Sequence, residues 1–256
     1  MGILNISRNS FYDGGKYNSL NAAINHTQKM INEGALFIDI GVASSKPGSK
    51  LITPENENKL LIPYLTALIK EFPETYFSID TYNSLVAEVS LDMGVSMIND
   101  ISGGILDPRI LKIVGAHEVP YVMMHMRGIP KNMQKKIHYN NIIEEITFFF
   151  NSQLKKAKLA GVRDIILDPG FGFGKSKKHN FTILKNLDHF RFLNCPILMG
   201  ISRKSMIYKT LGVDAKQALN GTTALHAWGL NFGARILRVH DVKQAKECID
   251  LWGELQ

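Results

Sequence analysis

The stretch from Ile165 to Lys175 reads Ile-Ile-Leu-Asp-Pro-Gly-Phe-Gly-Phe-Gly-Lys, and the fold can be worked out from it. A short apolar run ends abruptly at Asp168, and Pro169 and alternating glycines follow. A run of this kind that enters Gly- and Pro-rich sequence is typical of a buried strand leading into a loop. The Asp168 carboxylate would then lie where the apolar walls end and ligand space begins. A simple loop acid or a helix cap is the alternative at this point.

Two glycine-rich phosphate-binding motifs are excluded in this stretch by their spacing. A P-loop would need glycine where Pro169 stands, and a dinucleotide fingerprint would need its third glycine where Lys175 stands. The glycines therefore indicate that the backbone closely approaches a group other than a nucleotide phosphate in one of these two motifs.

Short apolar runs alternate with amphipathic segments of helical length along the whole chain. The predicted strands are Ile3–Leu4, Leu36–Ile40, Tyr76–Ile79, Met97–Ile98, Tyr121–Met124, Ile165–Leu167, Ile197–Met199 and Ile236–Val239. Apolar residues recur at helical spacing in Leu20–Met30, Leu60–Ile69, Ile142–Leu159 and Ala215–Leu230. Eight strands alternating with helices predict an α/β fold, a single (β/α)8 TIM barrel that occupies residues 1–256 as one domain. An open doubly wound sheet would show the same alternation with fewer strands, but its phosphate fingerprint is absent.

Composition limits the function classes. The chain has 256 residues, 45% of them hydrophobic, and a formal net charge of +7. No apolar run approaches a membrane span and no secretory leader is visible, while Cys195 and Cys248 show neither disulfide nor metal-ligand spacing. We therefore expect a cytoplasmic protein. The positive charges are scattered and match no nucleic-acid module, so they indicate solvation, with steering of an anion as the alternative.

The predicted strand ends carry the polar residues that indicate a site. In a parallel barrel the carboxyl ends of all strands meet on one face. Asp80, Asn99 and Asp168 offer acceptors that suit a flat heterocycle with several N–H groups. Positive charge for a phosphate or diphosphate is expected from Arg203, Lys204, Arg238 and His240.

Other polar residues near these ends have simpler interpretations. Asp100, Asp107 and Asp241 each precede a helical segment and are interpreted as caps or satisfied loop acids. His125 lies between two methionines and is interpreted as a core histidine. Long rim loops over residues 7–17 and 42–54 are expected to close over a substrate.

Seven motifs in chain order resemble the dihydropteroate synthase family of the folate pathway. They cover essentially the whole chain: Met1-Gly2-Ile3-Leu4-Asn5 with Ser10-Phe11 and Asp13-Gly14-Gly15; Ser78-Ile79-Asp80-Thr81; Ile98-Asn99-Asp100-Ile101; Met124-His125-Met126-Arg127-Gly128; Leu167 to Lys175; Ser202-Arg203-Lys204-Ser205; and Arg238-Val239-His240-Asp241.

The resemblance implies condensation of 6-hydroxymethyl-7,8-dihydropterin diphosphate with 4-aminobenzoate, and it implies Mg²⁺, a homodimer and sensitivity to sulfonamides. Diphosphate would leave first, and the aniline nitrogen would attack the resulting cation. By motif, the catalytic residues would be Asp168, Lys204, Arg238 and His240. The implied substrate-binding residues are Phe11, Ser45, Lys46, Pro47, Asp80, Asn99, Met124, Asp168, Phe173, Lys204, Ser205, Arg238, Val239 and His240. Asn5 would contribute to the metal site.

The rim loops depart from the family pattern. Ser7-Arg8-Asn9 replaces the usual Thr-Pro-Asp, and residues 41–48 replace the usual Gly-Gly-Glu-Ser-Thr-Arg-Pro-Gly, with Ser45 for Thr and Lys46 for Arg. Lys46 keeps charge but loses the planar fork of arginine. The alternatives are therefore a pterin-binding barrel with weak or lost synthase activity, or another pterin-handling barrel such as a methyltransferase. The chain also starts inside the first predicted strand, so we expect the barrel bottom to be less covered than in most members.

Overall fold

The computed structural model describes residues 1–6, 20–42, 52–129, 133 and 137–256. It contains eight parallel strands whose order in the sheet is their order in the chain. They are β1 Gly2–Asn5, β2 Phe37–Gly41, β3 Tyr76–Asp80, β4 Met97–Asp100, β5 Tyr121–Met124, β6 Ile165–Asp168, β7 Ile197–Met199 and β8 Ala234–Leu237.

The sheet closes on itself between its first and last strands. Gly2 pairs in parallel with Val239, just beyond β8. The Ile3 N–H donates to the Val239 carbonyl and the Val239 N–H donates to the Met1 carbonyl, both at 3.0 Å. Between β6 and β7, Leu167 and Ile197 form the register pair. Closure removes the free sheet edges and confirms the predicted (β/α)8 barrel.

Helices cover the outside of the barrel. They are α1 Leu20–Asn32, α2 Pro54–Glu71, α3 Ser84–Asp92, α4 Arg109–His117, α5 Ile142–Leu159, α6 Lys177–Lys185, α7 Ser205–Leu211, α8 Leu219–Asn231 and α9 Val242–Gly253, with a 3-10 helix at Leu187–Leu193. Local sequence explains several boundaries. At α2, for example, Thr53 caps the first turn and Pro54 occupies the first helical position, where its missing N–H costs nothing. Among the described helices, none is long and apolar enough to cross a membrane.

Several predicted boundaries are wrong: the predicted helical spacing starts at Leu60, for example, whereas α2 begins at Pro54. The sequence predicts the last strand at Ile236–Val239, but the ladder with β7 begins at Ala234, which pairs with Ile197. The sequence also predicts one helix over Ala215–Leu230. Its first residues instead form a turn in which Asp214 and Gln217 bond each other, and the separate short helix α7 has no counterpart in the prediction.

Strand periodicity explains where the site forms. Met97, Val122, Ile166 and Leu198 form an apolar cluster inside the barrel, apart from the larger core between strands and helices. Side chains alternate between the two faces of a strand, so positions two residues further along point to the same interior. Those positions are Asn99, Met124, Asp168 and Gly200. Asn99 and Asp168 are polar, so the barrel interior changes from apolar to partly polar at the carboxyl ends of the strands.

Candidate active site

Acidic side chains and one arginine form a continuous network across the first half of the barrel mouth. Arg238 donates from Nε to Asp39 Oδ2 at 2.6 Å and from Nη2 to Asp80 Oδ2 at 2.9 Å. Asn99 Nδ2 also donates to Asp39 Oδ2, at 3.0 Å. Burial and the neighbouring carboxylates of Asp39, Glu57 and Asp100 raise the pKa of Asp80 to about 7, although Arg238 opposes the shift.

Asp168 occupies the second half of the mouth. It is buried, and its Oδ1 accepts the Gly170 N–H at 2.7 Å. Burial raises the pKa of this carboxyl, while nearby Lys204, Lys175 and Arg238 counteract the rise. A Cβ added at Gly200 would lie 3.9 Å from Asp168 Oδ2 and 4.0 Å from Lys204 Nζ. The two groups therefore flank one space that a side chain at position 200 would fill.

Lys204 reaches across the mouth from the loop after β7. Its ammonium donates to the Phe171 carbonyl and lies 4.9 Å from the centroid of the Phe173 ring. Burial lowers the pKa of Lys204 to about 8, which the neighbouring carboxylates of Asp168 and Asp80 oppose. Lys204 is thus a cation held between an aromatic ring and a carboxylate.

A second lysine, Lys175, fixes the glycine-rich loop after β6, and the sequence did not predict this role. Lys175 is buried, and its Nζ donates to the carbonyls of His125 at 3.1 Å, Gly170 at 2.9 Å and Phe173 at 3.1 Å. At Gly170, φ is +71° and an added Cβ would meet the His125 carbonyl oxygen at 2.0 Å, so only glycine fits there. The conformation of this loop therefore depends on Gly170 and Lys175 together.

Apolar side chains line one side of the mouth. The cluster consists of Ile101, Met124, Met126 and Met133, with Tyr82, Leu106 and Phe173 packed against it. Thioether and aromatic groups next to acceptors form the kind of surface on which a flat heterocycle packs while its N–H groups are satisfied.

The prediction that His240 supplies positive charge is wrong. Burial, helped by Arg238, Arg203 and Lys204, lowers the pKa of His240 to about 3, against the pull of Asp241. The ring is neutral at physiological pH, and its Nδ1 lies 3.1 Å from Ser202 Oγ. His240 can offer a hydrogen bond here but no charge.

The prediction that Arg203 is available for a phosphate is also wrong. Its guanidinium is buried and donates from Nε and Nη2 to the two oxygens of Asp241, at 2.7 and 2.8 Å. Nη1 donates to the carbonyls of Ala215 and Lys216. Of the two interpretations given for Asp241, a helix cap or a satisfied loop acid, the second holds: its side chain makes no cap on α9, and both of its oxygens accept from Arg203. The pair ties the loops after β7 and β8 together.

The remaining simple interpretations hold. Asp100 accepts from Ser102, Gly104 and the Tyr121 hydroxyl, and Asp107 accepts from Ser84 and Arg109. His125 is a buried histidine whose ring packs edge-on against Phe149 at 4.9 Å. Burial and the nearby cations lower its pKa well below the usual value.

The structure brings most of the predicted site residues to one face. Asn5, Asp80, Asn99, Met124, Asp168, Phe173, Lys204, Ser205, Arg238 and His240 lie at or just beyond the strand ends. Val239 pairs its backbone with β1 and packs its side chain in the core, so its contact with a substrate stays a prediction. Phe11, Ser45, Lys46 and Pro47, like Asn9, lie outside the described residues.

Sequence reasoning missed Asp39, Lys175 and Ser202. Asp39 carried a signal, because an acid inside an otherwise apolar strand must find a charged or hydrogen-bonding partner. Lys175 stands out in the sequence only as the end of a glycine-rich run, and Ser202 only as part of a motif. Each has a partner far away in the chain, at 199, 50 and 38 residues respectively, which only the fold brings close.

Asn5 and its surroundings fit the expected metal site. A Cβ added at Gly41 would lie 3.3 Å from Asn5 Oδ1 and 3.7 Å from Asp80 Oδ2, so the glycine leaves space beside two hard oxygen atoms. The described residues contain no group of three or more His, Cys, Asp or Glu side chains that could hold a metal ion. This donor set suits Mg²⁺ that takes its other ligands from substrate oxygens and water.

The fold and the mouth define a barrel whose site places acceptors suited to a flat, N–H-bearing ring beside cationic groups. The family model described as "Pterin binding enzyme" matches residues 1–240. The chain is 39% identical over 251 residues to dihydropteroate synthase of Escherichia coli K12, covering 97% of this chain and 88% of that protein. It belongs to the dihydropteroate synthase family of pterin-binding enzymes.

Solved structures agree with the sequence relatives. The Yersinia pestis dihydropteroate synthase in a sulfonamide drug complex superposes with a TM-score of 0.95 at 36% identity, covering 100% of this chain and 93% of that chain. The Thermus thermophilus enzyme in complex with 4-aminobenzoate gives 0.88 at 33% identity, with coverage of 100% and 93%.

Proposed function

We propose that this protein condenses 6-hydroxymethyl-7,8-dihydropterin diphosphate with 4-aminobenzoate to give 7,8-dihydropteroate and diphosphate. The observation that carries the proposal is the meeting of Asp168 and Lys204 around the open space at Gly200, beside the Arg238 network. The family membership and the similarity to an enzyme described with 4-aminobenzoate support the second substrate.

The residues of the mouth divide the chemistry between them. Asp80, Asn99 and Asp168 would accept the N–H groups of the pterin. As the C–O bond breaks, its electron pair leaves with the diphosphate, whose charge Arg238 and the Nε2–H of His240 would meet. The anionic form of Asp168 would stabilise the positive charge that develops on the pterin methylene. The lone pair of the aniline nitrogen then forms the C–N bond. The nitrogen afterwards loses one proton to solvent.

A coupled diphosphate-release assay with and without 4-aminobenzoate tests the proposal. We expect release to depend on the amine and to equal dihydropteroate formation. Tight binding of the pterin diphosphate without release would instead establish the binding-only barrel considered from the rim-loop sequence.

Magnesium dependence is a further part of the proposal. Mg²⁺ would neutralise the diphosphate, with Asn5 contributing one oxygen. Replacing Asn5 by alanine is expected to raise the Mg²⁺ concentration for half-maximal diphosphate binding by about tenfold. Calorimetric titration of diphosphate with increasing Mg²⁺ measures this. The matched variant Asn58→Ala, on α2, should titrate like the wild type, and equal titration by Asn5→Ala would contradict the assignment.

The pH dependence of pterin binding follows from Asp80 and Lys204. The pKa of Asp80 is about 7, so the carboxylate loses its negative charge as the pH falls through 7. The pKa of Lys204 is about 8, so the ammonium loses its positive charge as the pH rises through 8. Binding should therefore be strongest between these values and weaken on both sides, as calorimetry across a pH range of about 5.5 to 9.5 can show. In Lys204→Arg, tight binding should extend to higher pH and be unchanged at low pH, because the guanidinium stays charged. An alkaline side that is identical in this variant would refute the role of Lys204.

We also propose a homodimer that works in the cytoplasm. Trp228 on α8 is 50% exposed and stacks on Phe232 with ring centroids 5.1 Å apart, and Leu211 on neighbouring α7 is 54% exposed. Light scattering should give about twice the chain mass of 28.7 kDa, and Trp228→Lys should shift the protein to monomer. Phe148→Lys, at a more exposed position on α5, is the control. A monomeric wild type at high micromolar concentration would exclude the dimer.

A further inference from the structure

Asp39 connects the polar side chains below the mouth through hydrogen bonds to three of them. Its side chain is fully buried on β2, and it accepts hydrogen bonds from three residues that lie on or directly after other strands. Ser78 on β3 donates to Oδ1 at 2.6 Å, and Asn99 on β4 and Arg238 after β8 donate to Oδ2 at 3.0 and 2.6 Å. Two of these three partners are predicted to touch the ligand, but Asp39 itself lies behind them.

The bond to Asp39 fixes which way the Asn99 amide faces. An amide carries a donor nitrogen on one side and an acceptor oxygen on the other. Turning the Asn99 amide over would place Oδ1 against the Asp39 carboxylate, where two acceptors repel and a buried donor partner is lost. Asn99 is therefore locked with its nitrogen toward Asp39 and its oxygen turned away from it.

The same carboxylate fixes the plane of Arg238. The guanidinium donates to Asp39 through Nε and to Asp80 through Nη2, so two anions on β2 and β3 hold one edge of the fork. Removal of either anion leaves a single anchor, about which the planar group can turn. The orientation of Arg238 over the mouth thus depends on Asp39 as much as on Asp80.

We propose that Asp39 is a positioning residue that sets the donor–acceptor polarity of the ligand slot. By holding the Asn99 amide and the Arg238 plane, it makes the slot select a ring whose edge carries N–H donors and reject one that carries a carbonyl at the same place. This inference rests on the proposed function, because the ring in question is a pterin.

The test measures discrimination between two rings by calorimetry. Pterin is compared with lumazine, which has a carbonyl in place of the pterin amino group. The wild type should prefer pterin by at least about 100-fold. Asp39→Ala should reduce this preference to about 3-fold or less, because the Asn99 amide can then present either group. Ser78→Ala is the matched control and should keep the full preference, since it removes a partner of Oδ1 and leaves both Oδ2 contacts.

A second variant keeps the volume and polarity of position 39. In Asp39→Asn, the new amide nitrogen can donate to Ser78 Oγ, so its oxygen still faces Asn99 and Arg238, and pterin should remain preferred. Asp39→Leu keeps a similar volume but offers no acceptor to Asn99 or Arg238, and the preference should fall at least about tenfold below that of Asp39→Asn. This variant decides the question if Asp39→Ala, which leaves a cavity, does not fold.

The outcomes separate the two claims. Failure of the folded wild type to bind pterin contradicts the proposed function. If the wild type prefers pterin and both Asp39→Ala and Asp39→Leu keep that preference, the positioning role of Asp39 is overturned while the proposed function stands.

Discussion

Replacing Asp168 by asparagine is expected to lower turnover by about 10²–10³-fold while the barrel stays folded. The asparagine oxygen can still accept the Gly170 N–H that Asp168 Oδ1 accepts at 2.7 Å, so the loop geometry survives. The change removes the negative charge that would offset the positive charge on the pterin methylene as diphosphate leaves. Single-turnover measurement of dihydropteroate formation isolates this step from binding.

An aspartate-to-asparagine change on the surface is the control for Asp168→Asn. Asp92→Asn at the end of α3 removes a carboxylate whose side chain is 68% exposed and pairs with His117 on the surface. Turnover should be unchanged in this variant, and circular dichroism should show the same melting temperature for both proteins to within a few degrees. Near-normal turnover by folded Asp168→Asn would mean that another group carries the charge.

Replacing Arg203 by methionine should produce the largest loss of stability, about 3–5 kcal/mol. The methionine leaves the Asp241 carboxylate, whose side chain is only 17% exposed, without its cation, and the carbonyls of Ala215 and Lys216 lose their donor. For a chain of this size, that loss corresponds to a fall in melting temperature of about 10 °C. Chemical denaturation at constant pH measures the free energy of unfolding directly.

Two further variants show whether the uncompensated charge is the cause. Arg203→Met combined with Asp241→Leu should recover part of the loss, because no unpaired carboxylate remains. Arg163→Met is the surface control. Its partner Glu118 lies 3.0 Å away in an exposed pair, and the melting temperature should hardly change. Equal melting temperatures for the two single arginine variants would show that burial of the Arg203 pair adds nothing.

The sequence was sufficient for the architecture because a parallel barrel repeats one local pattern eight times. Each apolar run, such as Tyr121–Met124, needs only a buried strand environment, and each acid at its end, such as Asp168, marks where that environment stops. The boundaries that failed, at β8 and before α8, depend on the register with β7 and on the turn held by Asp214 and Gln217, which are tertiary features.

The charge state of the site was the harder part to predict. Arg203, Arg238 and His240 all look like cations in the sequence. The fold pairs the first with Asp241, shares the second between Asp39 and Asp80, and buries the third until its pKa falls to about 3. Residue type indicates which charges are available, but burial and partners that are distant in the chain decide which charges a ligand meets.

Joining residue 2 to residue 239 also has a consequence during synthesis. The barrel cannot close until residue 239 has left the ribosome, so the outer edge of β1 has no hydrogen-bonding partner until then. Nascent chains that stall before that point expose this edge to other polypeptides, which makes them natural clients for chaperones.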